Sequence, residues 1–269
     1  MKAKLEQTAL ITGASSGIGL ELARLFAADG YDLALAARNQ DKLEKVAQDL
    51  RSAHGVRVAV IPTDLGRPGA AIEIVAHLLQ QGIEIDVLVN NAGTQVYALF
   101  AEADSQRLVD MLQVNITALV QLTHLLLPGM LRRKRGRILN LGSTGSFVPG
   151  PLNAVYCASK AFVLSFTEAI AAELDGTGVT VTALCPGATQ TEFAQRHGLQ
   201  DTRLFQSAMP AAQVAMIGYR ALLKGQRVVI AGGANRLQIL SFKLLGPFMP
   251  LIPNRTLMQM GSFFMGKVN

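Results

Sequence analysis

Thr8-Ala-Leu-Ile11-Thr12-Gly13-Ala-Ser15-Ser16-Gly17-Ile18-Gly19 starts as a short apolar run and passes into a glycine-rich turn. Behind it, Leu20, Leu22, Ala23, Leu25 and Phe26 form the apolar stripe of a helix that ends near Gly30. A buried strand, a glycine turn and a helix in this order make a phosphate site: glycine lets the backbone come close, and the helix N-terminus offers free N–H groups to an anion. The spacing is Gly-x-x-x-Gly-x-Gly, not the Gly-x-Gly-x-x-Gly of many dinucleotide binders. The alternative is a tight turn that binds nothing. Its position at the first strand-to-helix turn favours a cofactor.

The same alternation runs on down the chain. Strands are expected at Asp32–Ala37, Val56–Ile61, Asp86–Val89, Arg137–Leu141, Val179–Leu184 and Arg227–Ile230. Helices are expected over 41–53, 70–80, 105–132, 158–174 and 211–223, with an irregular, lid-like stretch over 190–209. Strands alternating with helices predict an α/β fold with a doubly wound parallel sheet and right-handed crossovers. Ligands then sit beyond the carboxyl ends of the strands, where Asp64 and the turn Asn90-Asn91-Ala92-Gly93 both fall. The second strand ends in Ala36-Ala37 with Arg38 next, so no acid is there to hold ribose hydroxyls. An arginine at that point presents a planar fork of donors to a 2′-phosphate and predicts NADP(H) over NAD(H). Pro128 bends or ends the long helix, and Asn115 within it is either a surface amide or a buried polar group that disrupts regular bonding.

The chemistry falls on Ser143 to Lys160. Tyr156 and Lys160 are four apart and share a helical face. An ordinary phenol titrates near 10, and a neighbouring positive charge lowers that value, which predicts Tyr156 as general acid or base. Ser143, returning across a Gly/Pro-rich loop, can donate a hydrogen bond to a substrate oxygen. A lone Tyr-x-x-x-Lys is common by chance and gains weight only from the rest of the chain.

With 269 residues, half of them hydrophobic, the chain suits one globular domain. A formal net charge of +6 fits solubility or attraction to a polyanion. The basic cluster Arg132-Arg133-Lys134-Arg135 with Arg137 reads as a solvated helix end, and no aromatics interleave with it, which argues against nucleic acid. Cys157 and Cys185 read as reduced thiols of a cytoplasmic protein, and the four histidines show no metal spacing. The N-terminus has no apolar run of signal-peptide length.

These pieces together resemble the short-chain dehydrogenase/reductase family: Thr12-Gly13-x-x-x-Gly17-Ile18-Gly19, Asp64-Leu65, Asn90-Asn91-Ala92-Gly93, Asn115, Ser143, Tyr156-x-x-x-Lys160, and Pro186-Gly187 with Thr189, in family order over residues 8–191. The resemblance implies a single Rossmann-like domain over 1–234 with about seven parallel strands. It implies NAD(P) bound by Gly13, Ser15, Ser16, Gly17, Ile18, Gly19 and Arg38. Asp64 and Leu65 would meet the adenine, and Asn91, Ala92 and Gly93 the ribose side. Pro186, Gly187 and Thr189 would meet the nicotinamide end. Ser143, Tyr156, Lys160 and Asn115 would be catalytic, Lys160 lowering the tyrosine and holding the nicotinamide ribose, Asn115 keeping a water in the relay to Lys160. No metal is implied. The expected activity is reduction of a carbonyl, or oxidation of its secondary alcohol, on an apolar substrate. The alternatives are a 3-oxoacyl thioester reductase, with the basic cluster meeting an acidic carrier, and a nucleotide-sensing protein that does not turn over.

Residues 235–269, rich in Leu, Phe, Met and Ile and broken by Pro247, Pro250 and Pro253, form an apolar extension. It is expected to pack as short helices on the domain or on the partner of a homodimer or homotetramer. An interfacial membrane contact is the less favoured outcome.

Overall fold

The structure, a computed structural model, describes residues 7–197, 205 and 208–245. Its first half runs β1 (Thr8–Thr12), α1 (Gly17–Ala28), β2 (Asp32–Ala37), α2 (Gln40–His54), β3 (Val58–Pro62), α3 (Ala70–Gln80) and β4 (Val87–Asn90). Next come α4 (Ser105–Leu112), α5 (Ala118–Arg132), β5 (Gly136–Leu141), α6 (Ala154–Glu173) and β6 (Val179–Cys185). The last elements are β7 (Thr189–Gln190), α7 (Glu192–Arg196), β8 (Met209–Pro210), α8 (Ala211–Leu223), β9 (Val228–Ile230) and α9 (Gly233–Leu245).

Seven strands form one parallel sheet in the order β3-β2-β1-β4-β5-β6-β9. Both faces are covered, so the strands carry apolar residues at consecutive positions. Alternate side chains then serve opposite layers. Ile11 and Leu35 join Leu22 and Phe26 of α1, Leu43 of α2 and Leu222 of α8. Leu10 and Ala34 join Ile74 of α3, Leu122 of α5 and Ala171 of α6 on the other side. Phe26 meets Tyr31 and Tyr219 edge-on, with centroids 5.1 and 4.8 Å away. The order reverses between β1 and β4, and the crevice beyond their carboxyl ends is where such a sheet takes a ligand.

The amino ends of the strands are tied by buried acids. Asp32 accepts from the backbone N and Nε of Arg57, and Asp86 accepts from Thr8 N and Arg135 Nε. Arg133 bonds the Ile85 carbonyl at 2.7 Å. Two residues of the basic cluster are thus employed here, at the opposite end of β5 from Leu141 and the crevice. An acidic carrier docked on this cluster would stand at the wrong end of the sheet.

Several boundaries differ from the sequence expectation. The long helix is interrupted by a π segment, Gln113–Thr117, centred on the buried Asn115, while Pro128 sits inside α5 without ending it. Helix α6 starts at Ala154 instead of 158, with Cys157 N bonded to the Asn153 carbonyl, so Tyr156 lies in the first turn. The expected irregular stretch over 190–209 contains α7 and part of a two-stranded parallel ribbon, β7 with β8; its residues 198–204, 206 and 207 lie outside the described residues. Helix α9 begins at Gly233, before the expected boundary at Asn235; Ile239 is buried, while Leu237 and Leu240 are exposed. The remainder of the apolar extension, 246–269, lies outside the described residues. The runs Ser105–Arg132 and Ala154–Glu173 are long and apolar enough to cross a membrane by length and composition. In this fold they supply Leu122, Met130 and Ala171 to the layer under the sheet.

Candidate active site

The glycine turn is shaped by its own backbone. Gly13 and Gly17 have φ of +64° and +58°, left-handed values that favour glycine. Gly19 lies behind them, where a Cβ would collide with the Gly13 carbonyl. Thr12 fastens the turn to the next wall: its Oγ1 donates to the Val89 carbonyl and accepts from the backbone N of Asn91 and of Ala92, both at 3.0 Å. Asn91 Nδ2 in turn donates to the carbonyls of Thr12 (2.8 Å) and Gly13 (3.2 Å). Ser16, the N-cap of α1, makes no capping bond to the helix backbone. The first-turn N–H groups of α1 are therefore left without that side-chain acceptor, as an anion site requires.

On the other wall, Ser143 caps a short turn, Thr144–Ser146, which places its hydroxyl at the end of β5. Its Oγ accepts from Gly145 N at 3.0 Å and is hydrogen-bonded to the Tyr156 phenol. Ser146 Oγ reaches the Lys160 carbonyl at 2.8 Å, locking this turn onto α6. Lys160 is buried, and its Nζ donates to the Leu141 carbonyl at 2.7 Å while lying 5.8 Å from the Tyr156 ring centroid.

The expected lowering of the phenol does not appear. Tyr156 is partly open to the cleft, yet burial pushes its phenol up to about 12, against the downward pull of the Ser143 hydrogen bond. Burial also draws the Lys160 ammonium down to about 8. Taking both groups out of water disfavours phenolate and ammonium alike, and here that outweighs their proximity. The two cysteines are buried and protonated: burial raises Cys157 to about 11 and Cys185 to about 12.

Asn115 is the buried polar group of the two readings open for it. The π segment turns it inward; its Nδ2 donates to the Thr94 carbonyl and Ser159 Oγ, and its Oδ1 accepts from Thr94 N at 2.9 Å. A Cβ at Gly93 would stand 3.5 Å from Asn115 Oδ1 and 3.6 Å from Lys160 Nζ, so glycine leaves both atoms facing one small space.

These walls enclose a cleft of about 1680 Å3. Lining it are Gly13, Ser15, Ser16, Gly17, Ile18, Arg38, Asp64 and Leu65, then Asn91, Ala92, Gly93, Ser143, Tyr156, Lys160, Pro186, Gly187 and Thr189. Two of the expected residues stand outside the lining: Gly19 packs behind the turn and Asn115 behind Gly93. Arg38 is exposed at the rim, directly after Ala37 closes β2. Asp64 Oδ1 accepts from Gly66 N.

Other lining residues carried no local signal. Gln95 Nε2 donates to Asn153 Oδ1, joining the turn after β4 to the start of α6. Phe193 of α7 stands 6.3 Å from the Tyr156 ring and 4.5 Å from His197. Burial, with Arg107, Arg196 and Arg38 nearby, draws the His197 imidazole down to about 4. Val148, Pro149, Phe193, Met209 and Ile239 give the cleft apolar lining, Phe193 beside Tyr156.

A profile of the family described as short chain dehydrogenase matches residues 7–201, most of the chain. The chain belongs to the short chain dehydrogenase family. That family comprises NAD(P)-dependent oxidoreductases, and the seven-stranded Rossmann-like domain is its fold. A short-chain dehydrogenase from Sphingobium yanoikuyae in complex with NADPH superposes with a TM-score of 0.80 at 32% identity, over 92% of this chain and 96% of that one. The granaticin polyketide synthase putative ketoacyl reductase 1 of Streptomyces violaceoruber is 40% identical over 70% of each chain. A very-long-chain 3-oxoacyl-CoA reductase of Phaeosphaeria nodorum is 40% identical over 64% of this chain and 52% of its own. The match thus spans about half the length of that relative.

Proposed function

We propose that this short chain dehydrogenase is an NADP(H)-dependent reductase of a ketone carbonyl on an apolar substrate, able to run in reverse on the secondary alcohol. The observation that carries the reading is the meeting of Ser143, Tyr156 and Lys160 on one wall of a cleft whose other wall is the glycine turn and Arg38. The residues fit a dinucleotide: Gly13 and Gly17 adopt the turn that lets a phosphate approach, and Ser16 leaves the α1 N-terminus without a side-chain cap. Arg38 would hold the 2′-phosphate, Asp64 and Leu65 the adenine, and Pro186, Gly187 and Thr189 the nicotinamide end. When bound, the cofactor supplies or accepts the hydride.

The chain's own part is proton transfer and orientation. Ser143 donates a hydrogen bond to the carbonyl oxygen, one that strengthens as charge grows there. Tyr156 gives that oxygen its proton. A phenol held at about 12 is protonated throughout the neutral range, the form that reduction needs. Lys160, charged at neutral pH, stabilises the phenolate left behind. Asn115 would keep a relay water in the space beside Gly93.

A pH profile follows. Lys160 is protonated below its value of about 8 and loses its charge as pH rises through it. The kcat/KM for reduction, which reports groups of the free enzyme, should hold level from about pH 6 to 8 and fall above that. Oxidation, which needs the phenol to give up its proton first, should rise over the same range. Reduction that stays level to pH 10 removes the Lys160 charge from the mechanism.

A 3-oxoacyl thioester reductase is the second reading, favoured by the names of the Phaeosphaeria and Streptomyces relatives and by the apolar residues that line the cleft. Initial rates on a panel of bulky ketones and 3-oxoacyl-CoA thioesters of increasing length, with NADPH and with NADH, separate the two. Cofactor binding without turnover on any of them would leave a nucleotide-sensing protein. Assembly as a homodimer or homotetramer in the cytoplasm belongs to the same proposal; sedimentation velocity and liposome sedimentation check it.

A further inference from the structure

Helix α7 is tied across the mouth of the cleft by charge. Lys42, in the first turn of α2, places its Nζ 3.0 Å from both oxygens of Glu192. One turn on, Arg196 Nη2 donates to Glu192 Oε2 at 2.6 Å and to Ser16 Oγ at 3.1 Å. One carboxylate thus holds two cations, and one of those cations lies on the N-cap of α1. Arg38, Lys42, Ser16, Glu192 and Arg196 all line the cleft, and Arg38 and Arg196 both stand near His197. Glu192 is held below the usual carboxylate range, by Arg196 first and Lys42 second. The carboxylate oxygens therefore stand between two cations, where an anionic ligand group would make the same contacts.

We propose that Lys42 and Arg196 are specificity-determining residues for the cofactor's 2′-phosphate, and that Glu192 is an internal competitor that holds them in the free protein and yields them when the phosphate binds. The proposal rests on the NADP(H) reading and adds to Arg38 two cations from α2 and α7. Its consequence is a pair of effects with opposite signs. Lys42→Gln and Arg196→Gln remove phosphate contacts and should weaken NADPH binding by roughly three- to tenfold each, the modest size set by their half-exposed positions, with NADH unchanged. Glu192→Gln removes the competitor and its repulsion of the phosphate, so NADPH should bind about two- to fivefold tighter, again with NADH unchanged.

The measurement is the Kd of NADPH, NADH and 2′,5′-ADP by fluorescence titration and calorimetry on the full-length wild type and the three variants, at low and high salt. The NADPH effects should shrink as salt screens exposed charges. A purely architectural strap predicts something different: all three variants would loosen both cofactors alike, and that result overturns the proposal. So does an unchanged NADPH/NADH ratio in all three variants while the wild type still prefers NADPH. Equal wild-type affinities for the two cofactors would instead overturn the underlying NADP(H) reading.

Discussion

Tyr156→Phe is expected to lower kcat by about 10²- to 10⁴-fold, the range a positioned general acid contributes, while cofactor affinity stays within about twofold. The substitution removes one hydroxyl. The ring keeps its place in the first turn of α6, 6.3 Å from Phe193, and Lys160 keeps its bond to the Leu141 carbonyl. What disappears is the phenol proton proposed for the carbonyl, together with the hydrogen-bond partner of Ser143. Turnover on a ketone and NADPH binding by fluorescence, measured on the same preparation, test this. A variant that retains most of its rate would place the proton source elsewhere. One that loses the cofactor as well would mean the phenol acts in binding.

The strands were legible because a parallel sheet buried on both faces writes itself as short apolar runs, and β1, β2 and β6 fall within a residue of the runs that announce them. Tyr156 and Lys160 were legible because a helix brings i and i+4 together by itself. Three things were not, each for the same reason. The π segment at Asn115 is set by bonds to Thr94 and Ser159, 21 and 44 residues away. The early start of α6 goes with Asn153, whose side-chain oxygen is engaged by Gln95, 58 residues earlier. The tie from Lys42 to Glu192 spans 150 residues. Side chains that meet only after folding leave no period or spacing to read. The direction of the Tyr156 shift belongs with them: the spacing correctly brings an ammonium near a phenol, but burial of both is a property of the assembled cleft.

Arg38→Asp is expected to lower the NADPH/NADH ratio of kcat/KM by about 10- to 100-fold, the equivalent of losing one charge-assisted phosphate contact worth roughly 1.5–3 kcal/mol. Ala37 closes β2 and Arg38 follows it at the exposed rim of the cleft, so the side chain meets solvent on one side and the ligand space on the other. Exposure makes the contact sensitive to salt and sets the lower end of that range. The new carboxylate acts twice. It repels a 2′-phosphate, and it offers free ribose hydroxyls the acceptor that Ala37 cannot. NADPH should therefore suffer through KM, NADH should gain, and kcat with either cofactor should change little, because Tyr156 and the Ser143 turn lie on the far wall. Asn39 still caps α2 through Lys42 N, so the rim itself should keep its shape. Equal wild-type values for the two cofactors, or an Asp variant that leaves the ratio where it was, would show that the 2′-phosphate is not read at position 38. A fall in kcat with both cofactors would point instead to a shifted rim, which the melting temperature of the variant would register.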